Sequence, residues 1–437
     1  MASPGSSTSP QPTASHGSLL IVFLTVFIDL LGFGLVLPLL PIYADQFAVD
    51  KHGWQLGALM AIFSVMQLIF APMWGSLSDR IGRRPVLLMG LFSSAIFYAI
   101  FGIATMSNSI VLLFASRIGA GIAGATVPTA QAYIADCTTV DKRARGMALI
   151  GIAFGMGFTF GPLLGLLAVK IGQGEPGPWP GWTASLLSLT AFTLGLFILP
   201  ESLHKGSVSA KSHRPSLKGL RAVVSEPSVP WILLAIFVCV FSFASFETTL
   251  SLLLKGQEEV EKTPFHLDWD GLLWTFAFIG FSVAIVQGGI VRPLAKRVPE
   301  SVLATSGAVI EIGGFSLVAY AINQASLTQL YFALLIVVTG FSMMQPSLNS
   351  LLSRRTSPER QGTILGVGQS ANAFARIMGA GLGIPMLKAS ILLPYATAAV
   401  LMAVAACLVW LAASRGKDYG SDSASTKDDP QEAASAD

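Results

Sequence analysis

The chain has 437 residues, of which 53% are hydrophobic and only 12% charged, where a soluble domain carries about 25% charge. With a mean hydropathy of +0.66, so few charges cannot cover a water-facing surface, which excludes a set of soluble domains and makes lipid the solvent for much of the chain. The net charge of +3 is too small to argue for nucleic acid, and three scattered cysteines, Cys137, Cys239 and Cys407, suggest neither a disulfide framework nor a metal site.

Residues 1–18 are rich in Ser, Pro and Thr and lack Lys, Arg, Asp and Glu. They read as a disordered tail without the basic region of a signal peptide. Apolar runs follow at 19–44, 55–77, 85–105, 109–135, 145–170 and 181–200. A polar linker at 201–228 carries Lys205, Lys211, Arg214, Lys218 and Arg221. Six more runs occupy 229–254, 271–291, 301–322, 327–351, 361–387 and 391–413, and 414–437 is a second polar tail. Each run is near the roughly 20 residues a helix needs to span a bilayer. Helices are expected because a span must satisfy its own backbone hydrogen bonds. The expectation is an all-α membrane protein with an N-terminal six-helix bundle at 19–200 and a C-terminal one at 229–413.

Basic residues set the expected orientation. With both termini cytoplasmic, the inner loops and tails hold 20 of the 27 Lys and Arg residues. Trp54, Trp179, Trp182, Trp269 and Trp410 fall near span ends, as an interfacial belt requires. The halves also repeat at one offset. Pro128 pairs with Pro346, Asp141 with Glu359, Lys142 with Arg360, Gly161 with Gly379, Gly165 with Gly383 and Lys170 with Lys388. Two repeated six-helix halves with a path between them are a transporter architecture.

Three motifs carry a family resemblance. After helix 2 stands Gly75-Ser76-Leu77-Ser78-Asp79-Arg80-Ile81-Gly82-Arg83-Arg84. It resembles the signature of the major facilitator superfamily at every fixed position. Gly75 would permit close helix approach and Gly82 a tight turn. The resemblance implies a cytoplasmic gate in which Asp79 pairs with Arg83, caps helix 11 from across the interface, and is joined by Asp136. Helix 4 has Arg117-Ile118-Gly119-Ala120-Gly121, similar to the superfamily's second motif, whose Arg takes part in proton transfer. Helix 5 has Gly157, Gly161, Pro162 and Gly165 in a pattern that resembles the antiporter motif, with Leu166 for the final Gly. That motif marks the drug:proton antiporter branch and implies export.

The run Asp29 to Pro41 and the segment Ile198-Leu199-Pro200-Glu201-Ser202 are similar to tetracycline exporters and tetracycline-transporter-like proteins. The resemblance places a transport-essential Asp on Asp29 and a helix 9 acid on Glu311. Two positions depart from it. The exporters' helix 3 Asp falls on Phe97, and their helix 8 His falls near Val283, although a Gln four residues on is kept as Gln287. Tetracycline itself is therefore not the expected substrate.

Five charges fall inside the runs: Asp29, Arg117, Glu247, Glu311 and Arg376. Ionisable groups in a membrane are costly and mark ion and substrate paths. Asp29 and Glu311 are the leading proton sites, and Arg117 would modulate a carboxylate. Glu247 either joins them or faces water. Glu311 is alternatively a structural partner of Arg376. Arg376 and Asn372, four apart, share a helix face; Arg376 either contacts a substrate anion or pairs with Glu247 or Glu311. Gln131 and Gln287 are candidates to orient a polar group of a ligand, or are helix glue.

No enzyme constellation appears, and the five His residues fall in tails or loops. No cofactor is expected beyond a proton gradient. The expected partners are a small-molecule substrate, protons and the lipid bilayer. The protein is expected to act as a monomer in a plasma or inner membrane. The leading function is proton-coupled export of a small amphipathic organic compound. The alternatives are an uptake symporter or facilitator for an organic anion, and a transporter-like receptor without flux.

Overall fold

The computed structural model describes residues 16–47, 52–138, 140–175, 177–203, 226–256, 263–295, 297–355 and 361–415. Most of both polar tails and of the 201–228 linker lies outside the described residues. The chain makes twelve helical passes. They are α1 (His16–Val36), α2 (Trp54–Ile81), α3 (Arg83–Met106), α4 (Ile110–Ala123, continued as Val127–Asp136), α5 (Val140–Ile171) and α6 (Trp179–Ile198) in the first half. The second half has α7 (Val229–Lys255), α8 (Trp269–Ile285, continued to Leu294), α9 (Glu300–Asn323), α10 (Leu327–Arg354), α11 (Gln361–Ala389) and α12 (Leu393–Arg415). Among the described residues, nine helices are long and apolar enough to cross a membrane. α1 and α5 contribute shorter apolar stretches, Val22–Val36 and Gly155–Ile171.

Breaks in these helices have local causes. α1 ends at Val36 and resumes as the short helix Leu40–Phe47, because Pro38 and Pro41 lack the N–H that would continue the ladder. α4 tightens into a 3-10 turn at Gly124–Thr126, where the ring of Pro128 crowds the carbonyl four residues back. The repeat partner Pro346 lies inside the unbroken α10. α8 widens into a π segment at Val286–Val291, which contains Gly288 and Gly289.

Glycine sets the closest crossings. A Cβ on Gly34 would meet the Gly157 carbonyl, and one on Gly161 would meet Gly34 and the Leu35 nitrogen. α1 and α5 therefore touch backbone to backbone. The second half repeats this with α7 and α11, where Gly379 meets the Phe241 carbonyl and Gly383 meets Ser245. Without a hydrophobic force between helices in lipid, such close van der Waals approach is a main source of association.

The halves meet at one end. Gly57 of α2 lies against Gly381 of α11, and Gly53 against Ile384 and Lys388. Gly165 of α5 packs on Leu273 of α8. Trp269 Nε1 donates to Glu175 Oε2 at 2.9 Å, from one half to the other. The Trp269 ring also stacks with Tyr43 of the first half at 6.5 Å, and Lys255 Nζ lies 4.4 Å from its centroid. At the opposite end, Asp79, Asp136 and Glu201 bond within the first half, and Glu300 bonds Ser350 and Arg354 within the second.

Two outcomes should follow. Gly161→Val should cost about 1–3 kcal/mol by overpacking, read as a lower unfolding temperature in detergent, whereas Gly313→Ala, beside open space, should be neutral or stabilising. Trp269→Ala should loosen the contact between halves. Spin labels at positions 173 and 390, in a background lacking Cys137, Cys239 and Cys407, should then report longer distances than in the parent; an unchanged distribution would show that Trp269 does not hold this end.

Candidate functional site

The Asp79 end carries an organised charge cluster. Gly82 stands between α2 and α3 at φ 108, a region that strongly favours glycine. A Cβ there would strike the Glu201 carboxylate. That carboxylate accepts from the backbone N–H of Arg83 at 2.9 Å and of Arg84 at 3.2 Å. It also accepts from Ser202 N and Leu203 N, each at 3.0 Å. Glu201 thus satisfies first-turn donors of α3 and sits where the helix dipole favours an anion. Arg83 donates to Asp79, to Ser78 Oγ at 2.7 Å and to Asp136 Oδ2 at 3.1 Å. Ser202 Oγ bonds the same Asp136 oxygen at 3.2 Å.

The Asp79–Arg83–Asp136 cluster therefore forms as the motif implies, but it lies wholly in the first half. Asp79 is 54% exposed and bonds Arg83; among the described residues it makes no bond to α11. The implied cap falls at the start of α11, next to residues 356–360, which lie outside the described residues. Gly75 likewise has open space where close approach was expected. Arg80 is exposed, and Arg84 Nη2 donates to the Leu196 carbonyl. Glu201 and Ser202 were not singled out as site residues from sequence. The available signal was an acid straight after a helix-ending proline.

Within the first half, α1 brings Asp29 to Ser94 and Tyr98 of α3. Asp29 Oδ1 is buried without a hydrogen-bond partner. Arg117 of α4 is 2% exposed. Its guanidinium lies 5.7 Å from the Tyr98 ring centroid and 5.2 Å from that of Phe101. Nε and Nη2 have no hydrogen-bond partner. The guanidinium faces two aromatic rings, which attract a cation through their quadrupoles. Phe97 presses on Gly119, two residues beyond Arg117, so an apolar ring fills the place of the exporters' helix 3 acid.

The second half separates its charges. Arg376 Nη1 lies 3.5 Å from Glu247 Oε2, with side chains 38% and 11% exposed. Asn372, one turn before Arg376, has an unpartnered Oδ1. Arg376 thus pairs with Glu247 and not with Glu311, and Glu247 does not simply face water. Glu311 is 1% exposed, and neither carboxylate oxygen has a partner. Its stem presses on Gly340 of α10. Gln131 is half-buried on α4, and Gln287 is exposed in the π segment of α8. The structure does not join Gln287 to the other candidates.

Gly157 and Gly161 make the α1–α5 crossing around Pro162, and Gly165 touches α8. The antiporter-type motif is accordingly a close-packing region between α1, α5 and the other half. Two open, largely apolar grooves of about 390 and 430 Å³ lie along the bundle, lined by residues such as Phe27 and Leu163, and Phe278 and Tyr331. Neither contains a candidate charge, so the site is defined here by its buried charges.

The local role of Glu201 is testable. Glu201→Gln keeps the shape of the cap but removes its charge. It should lower stability by about 1 kcal/mol, measured by thermal unfolding in detergent at low salt, with a smaller difference at high salt.

A family model described as Major Facilitator Superfamily matches residues 22–380. The tetracycline resistance protein, class C, of Escherichia coli is 32% identical over 380 residues, covering 84% of this chain and 88% of the relative. Major facilitator superfamily domain-containing protein 10 of Mus musculus is 29% identical over 431 residues, covering 87% and 88%. The crystal structure of the human organic anion transporter MFSD10 (TETRAN) aligns with a TM-score of 0.65 at 27% identity, over 92% of this chain and 100% of that one. A bacterial Spinster homologue in an inward-facing, occupied conformation aligns at 0.68 with 15% identity, over 93% and 98%, a likeness of fold alone. With the twelve-helix, two-bundle architecture, these matches place the chain in the Major Facilitator Superfamily, a family of membrane transporters and not of enzymes.

Proposed function

We propose that the protein is a proton-coupled exporter of a small amphipathic organic compound, with the two halves exposing a central site to each side of the membrane in turn. The carrying observation is the pair of buried, under-satisfied acids, Asp29 in the first half and Glu311 in the second. An ionised carboxylate without partners in a low-dielectric interior is strongly disfavoured. Each acid is therefore a place where proton binding can follow the access of water or a cation. A change in access between the halves would then release the proton.

Arg117 has two nitrogens free of protein acceptors and lies on the same Tyr98 ring that Asp29 acts on. A small shift of α1 against α3 and α4 would bring carboxylate and guanidinium together and expel the proton. The tetracycline resistance relatives support export as the direction. The Phe97 and Val283 departures favour a substrate other than tetracycline. The basic-residue bias supports placing the Asp79 end and both termini in the cytoplasm. On that orientation the contact through Trp269 closes the outer side.

The test is flux in vesicles containing the purified protein and an imposed pH gradient. Compound-dependent proton movement should appear across a chemically broad panel. Asp29→Asn and Glu311→Gln should each abolish it while leaving expression and unfolding temperature near the parent. Full coupled transport in Asp29→Asn would remove that residue from the mechanism. Proton movement in the same direction as the compound would replace export by symport.

A further inference from the structure

Tyr43 lies between the outer contact of the two halves and the buried charges of the first. It is 4% exposed and belongs to the short helix Leu40–Phe47. That helix packs against α7 of the second half and against α4, which carries Arg117. The turn at 37–39, around Pro38, separates it from α1. Its place is therefore set by what its own side chains touch.

Each side of Tyr43 has a different partner. The hydroxyl donates to the Gly177 carbonyl at 2.7 Å, in the α5–α6 loop that also carries Glu175. Glu175 Oε2 accepts from Trp269 Nε1 at 2.9 Å. The Trp269 ring stacks with the Tyr43 ring, centroids 6.5 Å apart, and Lys255 Nζ lies 4.4 Å from the Trp269 centroid. Toward the core, Tyr43 meets Phe101 of α3 edge-on at 5.7 Å. Phe101 is fully buried, and the Arg117 guanidinium lies 5.2 Å from its centroid. A file of contacts thus runs from Arg117 through Phe101, Tyr43 and Trp269 to Glu175 and Lys255.

From this geometry we infer that Tyr43 is a positioning residue that ties closure of the outer end to the state of the Asp29–Arg117 pair. This rests on the exporter reading above and deepens it. While Asp29 carries a proton, Arg117 stays on the Phe101 ring, and Phe101, Tyr43 and Trp269 keep the packing seen here. When Asp29 ionises, its carboxylate offers the guanidinium a charge-assisted hydrogen bond in place of a ring face. Phe101 then loses the cation on its face, Tyr43 repacks, and the Glu175 loop parts from Trp269. Close packing transmits the change, because a gap of about 0.5–1 Å forfeits a quarter to a half of a contact's attraction. The direction agrees with export against a proton: the protonated carrier closes outside, and the ionised, loaded one opens there.

The groups around Asp29 fit this coupling. From α3 it meets Ser94 and Tyr98, and α4 presents Arg117 to the same Tyr98 ring. The Val127–Asp136 part of α4 meets α1 at Val22, where the Tyr133 hydroxyl donates to the Pro200 carbonyl. α5 and α6 approach α1 through Gly157 and Ala184. Asp29 Oδ1 has no hydrogen-bond partner and is free to accept from Arg117.

The experiment uses the full chain lacking Cys137, Cys239 and Cys407, in lipid nanodiscs, with spin labels at positions 173 and 390 and pulsed electron resonance at one mildly alkaline pH. Asp29→Asn, which stands in for the protonated acid, should raise the ratio of short to long distances at least about fivefold. In a Tyr43→Leu background that ratio should start lower, and the response to Asp29→Asn should shrink below about twofold. Tyr43→Phe keeps the ring and should keep most of the response. Phe101→Leu breaks the file one step earlier and should also lose the response, which keeps the test open if Tyr43→Leu does not fold. A Tyr43 that only packs would lower the ratio yet leave the response as large as in the parent, and that result overturns the inference. So does a parent in which Asp29→Asn changes nothing. A response that needs Tyr43, in a protein without compound-dependent proton movement in vesicles, would support the coupling and remove the exporter reading. Coupled flux with a response that survives Tyr43→Leu would overturn the coupling and leave export standing.

Discussion

The cost of an unpaired charge away from water governs this protein. A carboxylate or guanidinium in a low-dielectric interior must be paired, stacked or neutralised. Each half answers that demand differently. At the Asp79 end, Arg83 is shared by Asp79 and Asp136, and Glu201 takes its charge relief from backbone N–H groups. Arg117 has two aromatic rings in place of an anion. Arg376 has one distant carboxylate, and Glu311 has no hydrogen-bond partner. The less complete the solution, the more the group depends on a proton, a ligand or a change of conformation.

The helix contacts decide where such a change is possible. Backbone-to-backbone crossings at Gly34 with Gly157 and Gly161, and at Gly379 with Phe241, bind helices within each half. They leave no slack for a side chain. The contact between halves uses the same device, with Gly57 against Gly381 and Gly280 against Thr159, and adds a polar and aromatic group around Trp269 at one end. A few hydrogen bonds and ring contacts are worth about a kcal/mol each.

The inner architecture explains why closely repeated halves carry unequal chemistry. The offset that matches Gly161 with Gly379 also matches Phe158 with Arg376. Phe158 packs edge-on to Phe33 at 5.9 Å, and Arg376 meets Glu247. The shared glycines keep the crossing geometry constant, and the side chains beside them are free to differ. One crossing is thereby apolar and the other ionic, on nearly the same scaffold.

The sequence by itself determined the solvent, the number of passes, the two-fold repeat and the family. These depend on composition, on runs of apolar residues and on local motif spacing, all of which are written along the chain. It also marked the five intramembrane charges, because charge is conspicuous against an apolar background. It could not decide their partners. Glu247 and Arg376 are far apart in sequence and meet only because α7 and α11 pack in parallel through Gly379 and Gly383. Nothing in the sequence marks Tyr98 and Phe101, and α3 lays them on Arg117. Glu201 reads as a loop acid unless its carboxylate is seen over the start of α3. The Asp79 contact to α11 was legible as a motif but depends on which end of the halves is closed. Pairing is a property of distance in space, and only the tertiary structure sets that distance.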